Sequence, residues 1–494
     1  MLRLAASSRR GFAQLCAAAA PAATSRLAMA SMAERTQIQA SILSWGAADA
    51  GALGLGTLLP PALQPQSQSS QSSQSQSPRG LDSGSGLPRS LGAEQPAPLF
   101  VSTPTRVPGL ERYVPYAIAA GWAHSLVAVQ NPGLGTFALL GAGLNTSNQI
   151  GLIDPETRQR RRQHEAADFI SSQDGDQAVP AKAVSDFTFI HRFDDQPVVS
   201  MACGRQHSIV ATATQVVGFG NNHYGQCGIL PFRARQSPDF VHLNLLLTGA
   251  SRELANTPEM PLRVACGLDL TLILHADVLY ASGWGADGQT GLGVDTDVRL
   301  LSPIVFEAED FVGEKVHHFA TRADCSYALV SNSNGVHRLF TWGNSEYGQT
   351  SLGKKPDKYL KPHVVPGLGA ASVKQIAAGG SFAAFLTADG CVHTCGYGPA
   401  LGRGNHTLES LEIAQLDRAL FNFEPVVQLV SGNDYVMALT VTGKLFAWGR
   451  GQWGRLGLGH TADAWVPTRV PIEGKVTSVA CGVDHTLAIV VDNE

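Results

Sequence analysis

Short apolar runs broken by glycine-centred polar turns recur along most of this 494-residue chain, and one run returns seven times in nearly the same form. It reads IAAGWAHSLVA at 118–128, MACGRQHSIVA at 201–211, VACGLDLTLIL at 264–274 and FATRADCSYAL at 319–329. It continues as IAAGGSFAAFL at 376–386, LVSGNDYVMAL at 429–439 and VACGVDHTLAI at 479–489. Each copy is apolar on both sides of a small polar centre, the pattern of two short strands joined by a tight loop. Self-similarity at such spacing marks an array of one supersecondary unit, so function has to be argued from the array and not from a single catalytic pocket.

A second apolar segment ending in glycine follows six of the copies: LLGAG to Gly143, VVGFG to Gly220, YASGWG to Gly285, LFTWG to Gly343, VHTCGYG to Gly398 and LFAWG to Gly449. Glycine-rich turns come next, such as NHYGQCG at 222–228 and GQWGRLGLG at 451–459. The tryptophans at 45, 284, 342 and 448 recur in this segment and read as blade core. Helical periodicity is confined to 407–421. The copy at 479–489 lacks a following segment, whereas SILSWG at 41–46 with ALGLG at 52–56 lacks a preceding copy. Joining the two ends completes a seventh unit and removes the exposed sheet edges of an open array. The predicted fold is all-β, a seven-bladed β-propeller over 41–492, closed by pairing its N-terminal and C-terminal strands. Two stretches read as insertions: the Ser, Gln and Pro-rich 60–98, which cannot build a core, and the charged 154–186.

Composition refines this picture at the N-terminus. The first 33 residues hold Arg3, Arg9, Arg10 and Arg26, many alanines and serines, and no Asp or Glu. That is the composition of a mitochondrial transit peptide, expected over 1–40; a secretory signal is the competing reading, because 15–23 is small and apolar. The chain is acidic overall at −4, and more acidic once the Arg-rich leader is set aside, which disfavours a general polyanion binder. No apolar run approaches the ~20 residues that a transmembrane helix needs, so any membrane association is expected to be peripheral. Cys203, Cys266 and Cys481 share one slot before the repeated glycine and are expected to be packed thiols.

The repeated unit, with its downstream Trp-Gly strand and Gly-Gln-x-Gly-x-Gly turn, resembles the regulator of chromosome condensation repeat, from about residue 41 to the end. The leader together with GWGADGQTGLG, WGNSEY and VACGVDH is most similar to the mitochondrial branch of that family. The resemblance implies a propeller used as an interaction platform. Its founding member is a guanine nucleotide exchange factor for the small GTPase Ran. The mitochondrial branch implies exchange on the dynamin-related GTPase of inner-membrane fusion or, alternatively, a non-catalytic scaffold for mitochondrial ribosomal RNA and large-subunit assembly factors. The implied location is the matrix or the matrix side of the inner membrane.

Exchange needs no covalent catalysis, only tighter binding of the nucleotide-free GTPase than of the loaded one. The candidate contacts are Asp269, Asp324, Asp434 and Asp484, in the slot before the repeated His position, with His124, His207 and His485 in that position. Each set has a structural alternative: a turn Asp can satisfy its own backbone, and a His can hold neighbouring backbone. Arg158, Arg160, Arg161 and Arg162 are the candidate RNA or lipid contact, with a solvated loop as the alternative since Glu156, Glu165 and Asp168 flank them. No cofactor or metal is expected. Cys391 and Cys395 lack partner ligands, the glycines at 283–288 form a turn with no helix after them, and no Gly-x4-Gly-Lys-Ser/Thr loop occurs.

Overall fold

Seven four-stranded antiparallel sheets are arranged as the blades of a propeller in the computed structural model. It describes residues 40–55 except 49, 100–151, 183–228 except 194, 195 and 214, strand Ser237–Leu243, and 262–492 except 354 and 355. Blades 1 to 7 begin with Val114–Ala120, Ser200–Cys203, Arg263–Cys266, Lys315–Arg322, Val373–Ala378, Val426–Ser431 and Lys475–Cys481. These first strands are innermost and touch one another in ring order, the seventh against the first. The second strand of each blade starts at the His slot of the repeat and is apolar on both sides, as in His207–Ala211, Phe382–Thr387 and Tyr435–Thr440, because neighbouring blades cover both its faces.

Closure occurs in blade 7. Its two C-terminal strands, Lys475–Cys481 and His485–Val491, are completed by Ala40–Ala47 and Phe100–Arg106. Ile42 pairs with Ile489, Trp45 with Thr486 and Gly46 with His485, so the first described strand is an interior strand of the last sheet.

One glycine recurs in every blade for one reason. The third strand carries Gly46, Gly143, Gly220, Gly283, Gly343, Gly396 or Gly449 at its last or next-to-last position, each with φ between 95° and 122°. A Cβ at Gly343 would lie 2.2 Å from the Asp324 carbonyl oxygen, and the other six face the corresponding carbonyl equally closely. That approach lets the next residue donate to the same oxygen, as in Asn344 N to Asp324 O at 2.8 Å and Arg450 N to Asp434 O at 2.9 Å. The loop of the repeat and the turn after the third strand are thereby fixed together on one face.

Two expectations change. Residues 407–421 form the outer strand Glu409–Gln415 and a 3-10 turn, Arg418–Phe421, since the blade requires a fourth strand there. The strand Ala183–Phe193 claims the last residues assigned to the second insertion. Arg158, Arg160, Arg161 and Arg162 and the Ser/Gln-rich stretch lie outside the described residues. No described helix is long and apolar enough to cross a membrane.

Candidate functional site

The face carrying the repeat loops is a ring of seven similar corners. Backbone bonds lock neighbouring corners: Trp122 N to Gly204 O at 3.1 Å, Arg205 N to Leu268 O at 2.7 Å, Gly380 N to Asn433 O at 2.7 Å and Val483 N to Gly121 O at 3.0 Å. The corner backbone is therefore scaffold, and its side chains carry whatever distinguishes one blade from another.

The histidines belong to the scaffold. His124, His207 and His485 are buried, and each reaches the hydroxyl that follows the His slot of the next blade. His124 Nε2 lies 2.9 Å from Ser208 Oγ, His207 Nε2 3.0 Å from Thr271 Oγ1, and His485 Nε2 2.8 Å from Ser125 Oγ. Those hydroxyls donate onward to the carbonyls of Gln149, Gln226 and Ala52, so each accepts from its imidazole, which is held neutral with Nε2 protonated. Burial depresses all three pKa values to about 3. As groups sealed between blades, they cannot be the surface contacts proposed from sequence. Tyr435 replaces His in blade 6 and keeps the reach, its hydroxyl donating to His485 O at 2.7 Å.

The remaining junctions, together with the one that Tyr435 already spans, use another device. Trp342 Nε1 donates to Gln289 O at 2.8 Å, Trp448 Nε1 to Ala400 O at 2.8 Å and Trp45 Nε1 to Arg455 O at 3.0 Å, each latching the preceding blade. Cys395 Sγ does this less strongly, 3.3 Å from Gln349 O. Trp284 is an exception to the core reading. It follows the strand's glycine, is only partly buried, and packs edge-on against Tyr224 at 4.7 Å on the face. The thiols of Cys203, Cys266 and Cys481 are free and buried, and burial pushes Cys203 and Cys481 up to about 12.

The four aspartates share a slot but not an environment. Asp269 is almost fully buried and ion-paired with Arg205 of blade 2, whose guanidinium stacks 5.6 Å from the exposed Trp122 ring. Asp434 and Asp484 share Arg455, at 3.9 and 2.7 Å. Arg455 stands where other blades carry the glutamine of the Gly-Gln turn, and only 3% of its side chain is exposed. Asp324 has no ion pair among the described residues: Gln289 Nε2 donates to it at 3.2 Å, and Arg205 acts on it only through space. Burial first, then repulsion from Asp287 and Asp269, raises its pKa to about 6. Sequence did not single out Gln226, Gln289 or Arg455 as the residues holding these carboxylates. The shared turn position was the available signal, but only the register shows that it faces the next blade's Asp slot.

A closed ring of seven four-stranded blades, with one repeated corner presented seven times on one face, defines an interaction propeller. The chain belongs to the regulator of chromosome condensation (RCC1) repeat family. The family's repeat models match residues 198–226, 337–386 and 442–489. The chain is similar to the RCC1-like G exchanging factor-like protein of Mus musculus, 33% identical over 359 residues covering 71% of each chain. Among solved structures it is similar to human WBSCR16, with TM-score 0.68 and 27% identity over 92% of this chain and all of that one. It shares its fold with Prp20p of Saccharomyces cerevisiae, whose binding to Gsp1p and histones has been described, with TM-score 0.64 and 17% identity over 94% and 96% of the two chains.

Proposed function

We propose that this propeller is a guanine nucleotide exchange factor-like regulator of a mitochondrial GTPase, engaging it through the face of repeat corners. The relative's name, the shared fold and the acidic corners support this reading, and the observation that carries it is Asp324. Among the described residues it is the one of the four slot carboxylates in no ion pair, so binding a basic GTPase residue relieves repulsion from Asp287 and Asp269 instead of breaking a salt bridge. Asp434 and Asp484 are about one-third exposed and can exchange part of Arg455 for a partner's cation. Such contacts act by favouring the nucleotide-free GTPase and displacing its phosphate and magnesium interactions, with no covalent step. The Arg-rich, acid-free leader supports a mitochondrial location, and the dynamin-related GTPase of inner-membrane fusion is the candidate partner.

The test is release of labelled GDP from that GTPase, which the protein should accelerate and which Asp324→Asn should slow by about tenfold, equivalent to ~1.4 kcal/mol of differential binding. Unchanged GDP release, together with ribosomal RNA recovered after crosslinking and lost when Arg158, Arg160, Arg161 and Arg162 are replaced, would favour the ribosomal scaffold instead. Import of the full chain into isolated mitochondria, lost on deleting residues 1–40, tests the location.

A further inference from the structure

The fourth copy of the repeat departs from the rest at its glycine. In five blades a Cβ at that position would meet the ring three residues later: 2.6 Å at Gly121, 2.1 Å at Gly204 and Gly379, 1.9 Å at Gly432 and 2.4 Å at Gly482. Blade 4 carries Cys325 in the ring position, so the space is free and Arg322 occupies the glycine slot. The substitution is coupled to its neighbour and is more than decay of the motif.

Arg322 ends the innermost strand of blade 4 on the corner side. Its guanidinium acts electrostatically on Cys203 of blade 2, Cys266 of blade 3, Tyr435 of blade 6, and Cys481, Asp484 and His485 of blade 7. A group on blade 4 that reaches all of these lies at the propeller axis. Nε and Nη2 are closed off from solvent and have no hydrogen-bond acceptor among the described residues. Asp484, the carboxylate in this field, bonds Arg455 at 2.7 Å. These two nitrogens are the parallel donors on one edge of the guanidinium, the pair that grips two oxygens of one oxyanion. A guanidinium edge that is buried and unmatched is destabilising, and an oxyanion on it removes the penalty.

We propose that Arg322 forms an axial oxyanion receptor, its partly exposed side chain turning toward the corner face to take a carboxylate or a phosphate side-on through Nε and Nη2. The site is independent of the exchange reading, since it requires neither a GTPase nor GDP release. The test is thermal unfolding of the full chain at low ionic strength in ~10 mM sodium phosphate or sodium acetate, against sodium chloride of equal ionic strength. Wild type is expected to gain about 2 °C over chloride in at least one oxyanion, while Arg322→Gly and Arg322→Met gain nothing over chloride. A gain in phosphate alone identifies a phosphoryl group, and a gain in acetate identifies a carboxylate. No oxyanion-specific gain in wild type, or the same gain in both variants, overturns the proposal. The glycine variant restores the residue of the other six copies, and the methionine variant keeps the bulk, so a folded comparison is available.

Discussion

The ring divides into two arcs held by different chemistry. From blade 6 through blades 7, 1 and 2 to blade 3, a His or Tyr reaches the next blade's hydroxyl or backbone. From blade 3 through 4 and 5 to blade 6, the same slot holds Leu270, Cys325 and Phe382, and indole or thiol donors take over. One demand unites them. The carbonyl at the Gln position of each blade's turn accepts a side-chain donor from the next blade, whether Ser, Thr, Trp or Cys. A buried carbonyl left unmatched is unfavourable, so the donor can change while the requirement stays. The polar arc contains the seam where the chain ends meet, and there Tyr435 and Trp45 act at adjacent points on one junction.

The sharpest way to break the comparison is to make the same substitution in two places. Phe382→His puts an imidazole against Val436, where no hydroxyl follows, and should destabilise by about 2–4 kcal/mol in urea unfolding. Leu270→His faces Ser326 and should lose less than ~1 kcal/mol, because that hydroxyl supplies a partner. Equal losses would show that the slot is governed by volume alone. Next in size, His207→Ala should lose about 2–3 kcal/mol by combining a cavity with a lost bond to Thr271.

Acid should separate the arcs as well. The unfolded chain binds protons at His124, His207 and His485 near pH 6.5, whereas the folded state takes them up only at about 3. The stability these imidazoles contribute is therefore complete above pH 6.5 and falls as pH drops toward 3, by up to about 1.4 kcal/mol per pH unit for each imidazole. His318 in blade 4 is depressed to about 3 by the same cause and adds one such contribution outside the polar arc. Hydrogen exchange measured from pH 7 to 4 should show blades 7, 1 and 2 losing protection before blade 5. Smaller than the His207 loss, Trp448→Phe removes the bond to Ala400 O and should lose about 1 kcal/mol in urea unfolding.

Much of this was legible because repetition is legible. The seven corners, the closure through Ser41 to Gly46 and the buried thiols follow from aligning the chain with itself. The periodicity over 407–421 misled because a half-exposed strand followed by a 3-10 turn can place apolar residues at helical spacing. Trp284 misled because it lies two residues beyond Ser282, which holds the strand position of Trp342. The alternation of His and Trp devices was hidden for a different reason: both partners of each bond lie in adjacent blades, tens of residues apart. The differing fates of the four aspartates depend on Arg205, Gln289 and Arg455, which only the ring brings beside them.

Asp324 carries the functional account, and its chemistry supplies a clean test. Its folded pKa of about 6 lies above the ordinary carboxylate value, so its penalty is absent at low pH and grows as pH rises through 6. Asp324→Asn should therefore raise Tm by about 2 °C at pH 7.5 and leave it unchanged near pH 4, as read by thermal unfolding. A variant that is more stable yet functionally impaired cannot owe its defect to misfolding. The decisive measurement is GDP release from the mitochondrial dynamin-related GTPase at pH 7.5 with wild type and Asp324→Asn side by side. Faster release by wild type, reduced about tenfold in the more stable variant, is the predicted result. No acceleration by wild type, or equal acceleration by both proteins, would contradict it.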